Sequence, residues 1–115
     1  MTGIKERGGN MSERMYRICL TVPLGARNGT MLLHEVEGKV EGWMNVMNEK
    51  NRFSGVLSDE GKLTLSGVIR TLISTMHYTA TGTVSEKNIL LNLKTDSGAY
   101  YPVFGEEINT DDKVL

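Results

Sequence analysis

The side chains of this sequence that could carry out chemistry are few and lie far apart. His34 and His77 are its two histidines and Cys19 is its one cysteine, and their spacing matches neither a metal site nor a nucleophile with a neighbouring base. The carboxylates fall mostly at predicted turns and outer strand faces, where no pair is held at a distance suited to acid–base catalysis. We therefore predict no catalytic residue, no metal and no cofactor.

One arrangement keeps an enzyme open as the alternative function. If His34 points into the interior near one end of the fold, it can meet Tyr16, Tyr78 or Tyr101 there. An imidazole beside a phenol can orient a substrate or move a proton. The alternative is therefore an enzyme whose site uses His34 and a tyrosine.

The composition is that of one small globular domain. The chain has 115 residues, 39% of them hydrophobic, and a formal net charge of −1, with 13 basic and 14 acidic residues. The charges are interspersed, which argues against nucleic-acid binding. No apolar run approaches the roughly 20 residues of a membrane span, and a lone cysteine allows no intrachain disulfide. We therefore expect a cytoplasmic protein that binds neither nucleic acid nor membranes.

The two ends differ from the middle of the chain. Residues 1–13 are polar, rich in glycine and without periodicity, and residues 106–115 form an acidic tail. Segments of this composition bury too little apolar surface to become ordered. We predict a disordered segment at 1–13, a single domain at 14–105 and a flexible tail at 106–115.

Glycines recur at the centre of successive hydrophobic runs. They are Gly42, Gly55, Gly67 and Gly82, each flanked on both sides by residues typical of strands. Glycine is unfavourable inside a helix and weakens a flat strand. The repeat therefore predicts neighbouring strands that all bend at the same level of one sheet.

The clearest strand is 78–84, in which every odd position is threonine. Such alternation is typical of a strand with one buried and one solvated face. A tight turn after this strand sets Val84 against Ile89. A turn at 75–76 before it would set Ile73 against Tyr78.

Two more turns set the pairing of the preceding strands. A bulged turn with a left-handed Gly61 leaves Leu57 on the same side as Leu63. A loop at residues 48–51 would set Val46 against Phe53. These pairings place one apolar face on five consecutive strands.

The strand near residues 30–36 has two possible registers. A bulged turn after it would put Leu32 and His34 inside, and we favour this register because the Glu-Gly-Lys that follows repeats the one at residues 60–62. A plain two-residue turn would instead bury Met31, Leu33 and Glu35.

We predict an all-β fold in which about eight short antiparallel strands form an up-and-down meander closed into a small barrel. Pro102 lies in the last strand, where a residue without an N–H indicates an edge or a bulge. In architecture alone, the order of strands across residues 14–105 resembles the calycin group, the avidin-like and lipocalin-like barrels. The alternative is an open, strongly coiled sheet that dimerises.

The predicted faces suggest two non-enzymatic functions. One is the binding of a small apolar ligand inside the barrel, and the other is self-association as a homodimer through an apolar outer patch. The predicted interior residues are His34, Met44, Phe53, Leu65, Ile69, Tyr78, Leu91 and Tyr101. The predicted interface residues are Trp43, Met47, Val56 and Val68.

Overall fold

The protein is a closed barrel of eight antiparallel strands. The structure is a computed structural model that describes residues 11–22, 25–46, 48–70, 74–85 and 87–108. Each strand pairs with the next, and the last pairs with the first, so the open sheet is excluded. The strands are β1 (Met11–Val22), β2 (Gly25–Val36), β3 (Lys39–Val46), β4 (Glu49–Leu57), β5 (Lys62–Arg70), β6 (Thr75–Val84), β7 (Asn88–Thr95) and β8 (Tyr100–Glu107).

This architecture confirms the predicted fold class. The strands extend beyond the predicted domain at both ends, because β1 begins at Met11 and β8 ends at Glu107. The additional residues include Ser12 at one end and Glu107 at the other.

Alternate residues of every strand point into one apolar core, because closure of the sheet gives each strand a dry inner face. Six of the predicted interior residues are buried in this core, and Tyr101 packs against it partly buried. The six are Met44, Phe53, Leu65, Ile69, Tyr78 and Leu91.

Two predicted pairings are confirmed. Val84 lies opposite Ile89 in the β6–β7 ladder. Gly61 has a φ of 84° and ends a turn that sets Leu57 opposite Leu63. In both cases the turn chemistry identified the register correctly.

The predicted register of β5 with β6 is wrong by six residues. Tyr78 lies opposite Gly67 rather than Ile73, and β6 already begins at Thr75, where we predicted the turn. Residues 71–73 lie outside the described ranges. A shift by an even number of residues keeps every side chain on its predicted face, so alternation alone did not reveal the error.

The predicted register of β3 with β4 is wrong by four residues, since Phe53 lies opposite Gly42. Asn51, which we placed in a loop, is buried in β4. Its Nδ2 donates to the carbonyl oxygen of Glu49 at 3.0 Å, and its Oδ1 accepts from the backbone N–H of Arg70 at 3.0 Å. These hydrogen bonds offset the cost of burying a polar side chain.

The favoured register of β2 is also wrong. Val36 pairs with Lys39 across a two-residue turn in which Glu37 and Gly38 have φ values of 52° and 83°. Two positive φ values in a row define the type I′ hairpin turn. The residues that point inward are therefore Met31, Leu33 and Glu35.

The recurring glycines mark places where neighbouring strands approach very closely. A Cβ on Gly55 would overlap the carbonyl oxygen of Thr64, and a Cβ on Gly82 would overlap that of Leu90. The obstacle is the backbone of the adjacent strand, which cannot move without disturbing its own ladder. These contacts explain why the bends of this small barrel require glycine.

We expect Gly55→Ala and Gly82→Ala each to lower the free energy of unfolding by about 2–3 kcal/mol, because the added methyl group must displace backbone. Urea unfolding measures the change. Ser54→Ala, an exposed neighbour of Gly55 on the outer face, is the control and should change stability by no more than about 0.5 kcal/mol. Glycine variants as stable as this control would contradict the close-approach explanation.

Candidate functional site

One opening of the barrel carries a cluster of polar side chains on three adjacent strands. Alternation along β1 points Ser12, Arg14 and Tyr16 inward at this end. Glu35 of β2 lies opposite Ser12, and Glu107 of β8 lies opposite Tyr16. We call these five residues the charged opening.

Glu35 is held in place by the strands around it. Ser12 Oγ donates to its Oε1 at 3.2 Å, and the backbone N–H of Gly38 donates to its Oε2 at 3.1 Å. Each carboxylate oxygen therefore has a fixed donor, and the β1–β2 pairing and the type I′ turn together position this negative charge.

Tyr16 is 0% exposed, and its hydroxyl has no hydrogen-bond partner of normal geometry among the described residues. Burial raises the pKa of this hydroxyl, the guanidinium of Arg14 opposes the rise, and the carboxylate of Glu107 adds to it. Tyr16 is therefore a neutral phenol at physiological pH. The guanidinium of Arg14 is close enough to act on this hydroxyl, but no acceptor among the described residues takes its proton, so the O–H can still donate to a ligand.

Arg14 lies between these groups and is a permanent cation. Its pKa is raised by the nearby hydroxyl of Tyr16 and also by the carboxylates of Glu107 and Glu35, while partial burial opposes the rise. The charged opening thus brings one guanidinium within electrostatic reach of two carboxylates and a phenol.

The opposite wall of this opening is apolar. Leu57 at the end of β4 and Val84 at the end of β6 are partly buried and pack against the core. Their cross-strand partners, Leu63 and Ile89, are fully buried beside them. The opening is therefore amphipathic, with charge on β8, β1 and β2 and hydrocarbon on the strands across from them.

The structure does not place His34 in the interior, contrary to the favoured register. Its side chain lies on the outer face, with Nδ1 3.4 Å from Oε2 of Glu13 and Glu41 opposite on β3. It lines a surface depression of about 410 Å³ together with Lys39. The predicted imidazole–tyrosine pair does not form, because Tyr16, Tyr78 and Tyr101 lie on the inner face.

The predicted interface residues do not form one patch. Trp43 faces outward, but the four-residue shift sets it opposite Arg52 rather than beside Val56, and Nζ of Lys50 lies 4.6 Å from its ring centroid. Val68 is partly buried opposite His77. Met47 lies outside the described residues.

Sequence reasoning missed an exposed apolar pair on another part of the outer face. Leu90 of β7 is 55% exposed and lies directly opposite Phe104 of β8, which is 47% exposed. We call these two residues the Leu90–Phe104 patch. In the sequence, this pair could have been found as an apolar residue at a position of β7 and of β8 where alternation predicts an outward side chain.

The charged opening was missed for a related reason. Arg14 and Glu35 are polar residues at strand ends, and such residues are usually solvated. The favoured register of β2 also turned Glu35 outward, and the predicted domain ended before Glu107. Correct strand ends and the correct turn at 37–38 would have brought the cluster together.

Comparison with protein-family models, with curated proteins and with solved structures finds no match for this chain. Among the described residues, no group of three or more histidine, cysteine, aspartate or glutamate side chains is arranged to hold a metal ion. The same part of the chain contains no helix long and apolar enough to cross a bilayer. The class that the fold defines is the eight-stranded up-and-down barrel.

We expect the free energy of unfolding to fall as the pH rises above about 10. Burial raises the pKa of Tyr16 and, at the other end of the interior, that of Tyr78. The folded chain then binds more protons than the unfolded chain, whose tyrosines titrate near about 10. This contribution to stability is complete below that pH and is lost above it. Urea unfolding at a series of alkaline pH values measures the loss.

Tyr78→Phe should reduce this loss of unfolding free energy at alkaline pH. The Tyr78 hydroxyl is also buried without a partner, so its removal should leave stability at neutral pH unchanged or raise it by about 1 kcal/mol. Tyr100→Phe removes an exposed hydroxyl and is the matched control. Identical pH profiles for the two variants would show that the Tyr78 hydroxyl is not the source of the fall.

Proposed function

We propose that this protein is a non-enzymatic binding barrel that holds a small amphipathic molecule in the charged opening. The observation that supports this most directly is the buried Tyr16 hydroxyl, which lies near Arg14 but has no hydrogen-bond partner of normal geometry among the described residues. An unsatisfied buried hydroxyl costs roughly 1–3 kcal/mol. A ligand that supplies the missing partner recovers part of that cost.

The proposal assigns each wall of the opening to one part of the ligand. A polar head would lie against Arg14, Tyr16 and Glu107, and an apolar chain against Leu57 and Val84. The core side chains occupy the barrel interior, so the proposed ligand lies at the opening rather than deep inside. The calycin-like order of strands supports this proposal at the level of architecture alone.

Catalysis is not part of the proposal. The only described histidines and cysteine lie on the outer face or outside the cluster, so no imidazole or thiol accompanies Tyr16 in the opening. The remaining groups are a permanent cation, two carboxylates and a neutral phenol, and this set is suited to recognising a head group.

Titration with three eight-carbon amphiphiles tests the proposal. Octylammonium, octanoate and octanol share one chain and differ in the head group. We expect at least one of them to shift the amide NMR signals of β1 residues 12–16 saturably. Tyr16→Phe should weaken that binding about threefold to tenfold, the loss of one hydrogen bond.

Tyr78→Phe is the matched control for this experiment, since it removes the other unpartnered buried hydroxyl away from the charged opening. It should leave the affinity unchanged. The proposal fails if none of the three probes binds, or if the two phenylalanine variants weaken binding equally.

We propose self-association through the Leu90–Phe104 patch as a second candidate function, with a second copy of this chain as the partner. The cross-strand neighbours of the patch are Thr83 and Cys19, and the next outward residues are Asn88 and Asn92 on β7 and Pro102 and Glu106 on β8. Glu106 is the one charged residue of this set, and it stands opposite Arg17, so the face has no excess of one sign that would keep two copies apart.

Light scattering at several concentrations tests this second candidate. We expect a dimer that Leu90→Lys dissociates, because the substitution places a charge at the centre of the apolar contact. Val56→Lys is the control, since Val56 is 56% exposed but stands opposite Lys39, away from the patch. A monomer at all concentrations, or equal effects of the two variants, would refute self-association through this face.

A further inference from the structure

We infer that the head group recognised in the charged opening is a cation, an ammonium group carried on an apolar chain. This inference rests on the proposed function and specifies the class of ligand. Among the five residues that define the charged opening, Glu35 and Glu107 carry carboxylates and Arg14 carries a guanidinium, so these five residues have a net charge of −1.

The two carboxylates are not equivalent. Glu35 already accepts from Ser12 and from the backbone of Gly38. Arg14 lies within electrostatic reach of both carboxylates, and Glu107 contributes more than Glu35 to its raised pKa. Glu107 is exposed at the end of β8, so it is the carboxylate that a ligand can reach from solvent.

Glu107 and Tyr16 converge on the same point. They are directly opposite residues of the β8–β1 ladder, so their side chains leave the sheet on one face. The negative charge of Glu107 contributes to the raised pKa of the Tyr16 hydroxyl, which shows that the two groups interact. Together they offer two oxygen acceptors.

An ammonium group matches this pair of acceptors. It carries three N–H donors and a positive charge, so it can donate to Glu107 and to the oxygen of Tyr16 together. An ammonium head faces the one positive charge of Arg14, whereas a carboxylate head faces the two negative charges of Glu107 and Glu35. The apolar wall formed by Leu57 and Val84 then receives the chain of the amine.

Competition between octylammonium and octanoate tests this inference, because the two probes share a chain and differ in the sign of the head. We expect octylammonium to bind at least fivefold more tightly to the wild-type protein. Glu107→Gln should reduce that preference at least threefold. Glu106→Gln makes the same charge change on the adjacent outward residue and should preserve the preference, so it controls for long-range electrostatics.

The outcomes separate this inference from the proposed function. Octanoate or octanol binding at the charged opening as tightly as octylammonium would overturn the cationic head and leave ligand binding intact. The same preference in Glu107→Gln as in the wild type would overturn the role of Glu107. Failure of all three probes to bind would overturn the proposed function as well.

Discussion

Pairing between β1 and β8 closes the barrel, and the dry inner face of every strand depends on that closure. This ladder, which we call the seam, joins five residue pairs from Tyr16–Glu107 to Leu20–Val103, whereas the β1–β2 ladder joins twelve. It stops beside Pro102, which has no N–H to contribute, as the sequence had indicated for a strand edge. Without the seam, two strand edges and one face of the core would be open to water.

The seam also forms the charged opening. Its last pair is Tyr16 with Glu107, so the contact that completes the fold also brings the carboxylate to the buried phenol. Arg14 extends from the same strand and interacts with both. The opening is therefore part of the closure of the barrel, because its polar wall consists of residues from β8, β1 and β2.

The sequence was sufficient to predict the fold class but only some of the registers. The tight turn after β6 and the left-handed Gly61 each specified a unique local arrangement, and those pairings are confirmed. Alternation does not distinguish registers that differ by two, four or six residues, because all of them keep the same face inside. The errors at Phe53 and Tyr78 are of this kind.

The candidate site was harder to predict because it depends on a shift by one residue. The type of turn after β2 decides whether His34 or Glu35 points inward. The type I′ turn was harder to predict because it requires Glu37, a residue other than glycine, to adopt a positive φ. The buried Asn51 presents the same difficulty. A buried asparagine is predicted only if the backbone groups that hydrogen-bond to its side chain are known, and these come from residues 49 and 70.

The seam joins the parts of the chain that lie farthest apart in the sequence. Its paired residues lie roughly ninety positions apart in the chain, while every other ladder joins consecutive strands. Closing a loop of that length costs more conformational entropy than forming a hairpin, so the contacts of the seam must offset a larger cost than those of any other ladder. Arg14 and Tyr16 belong to β1 and Glu107 belongs to β8, so the polar wall exists only while these two ends of the chain are paired.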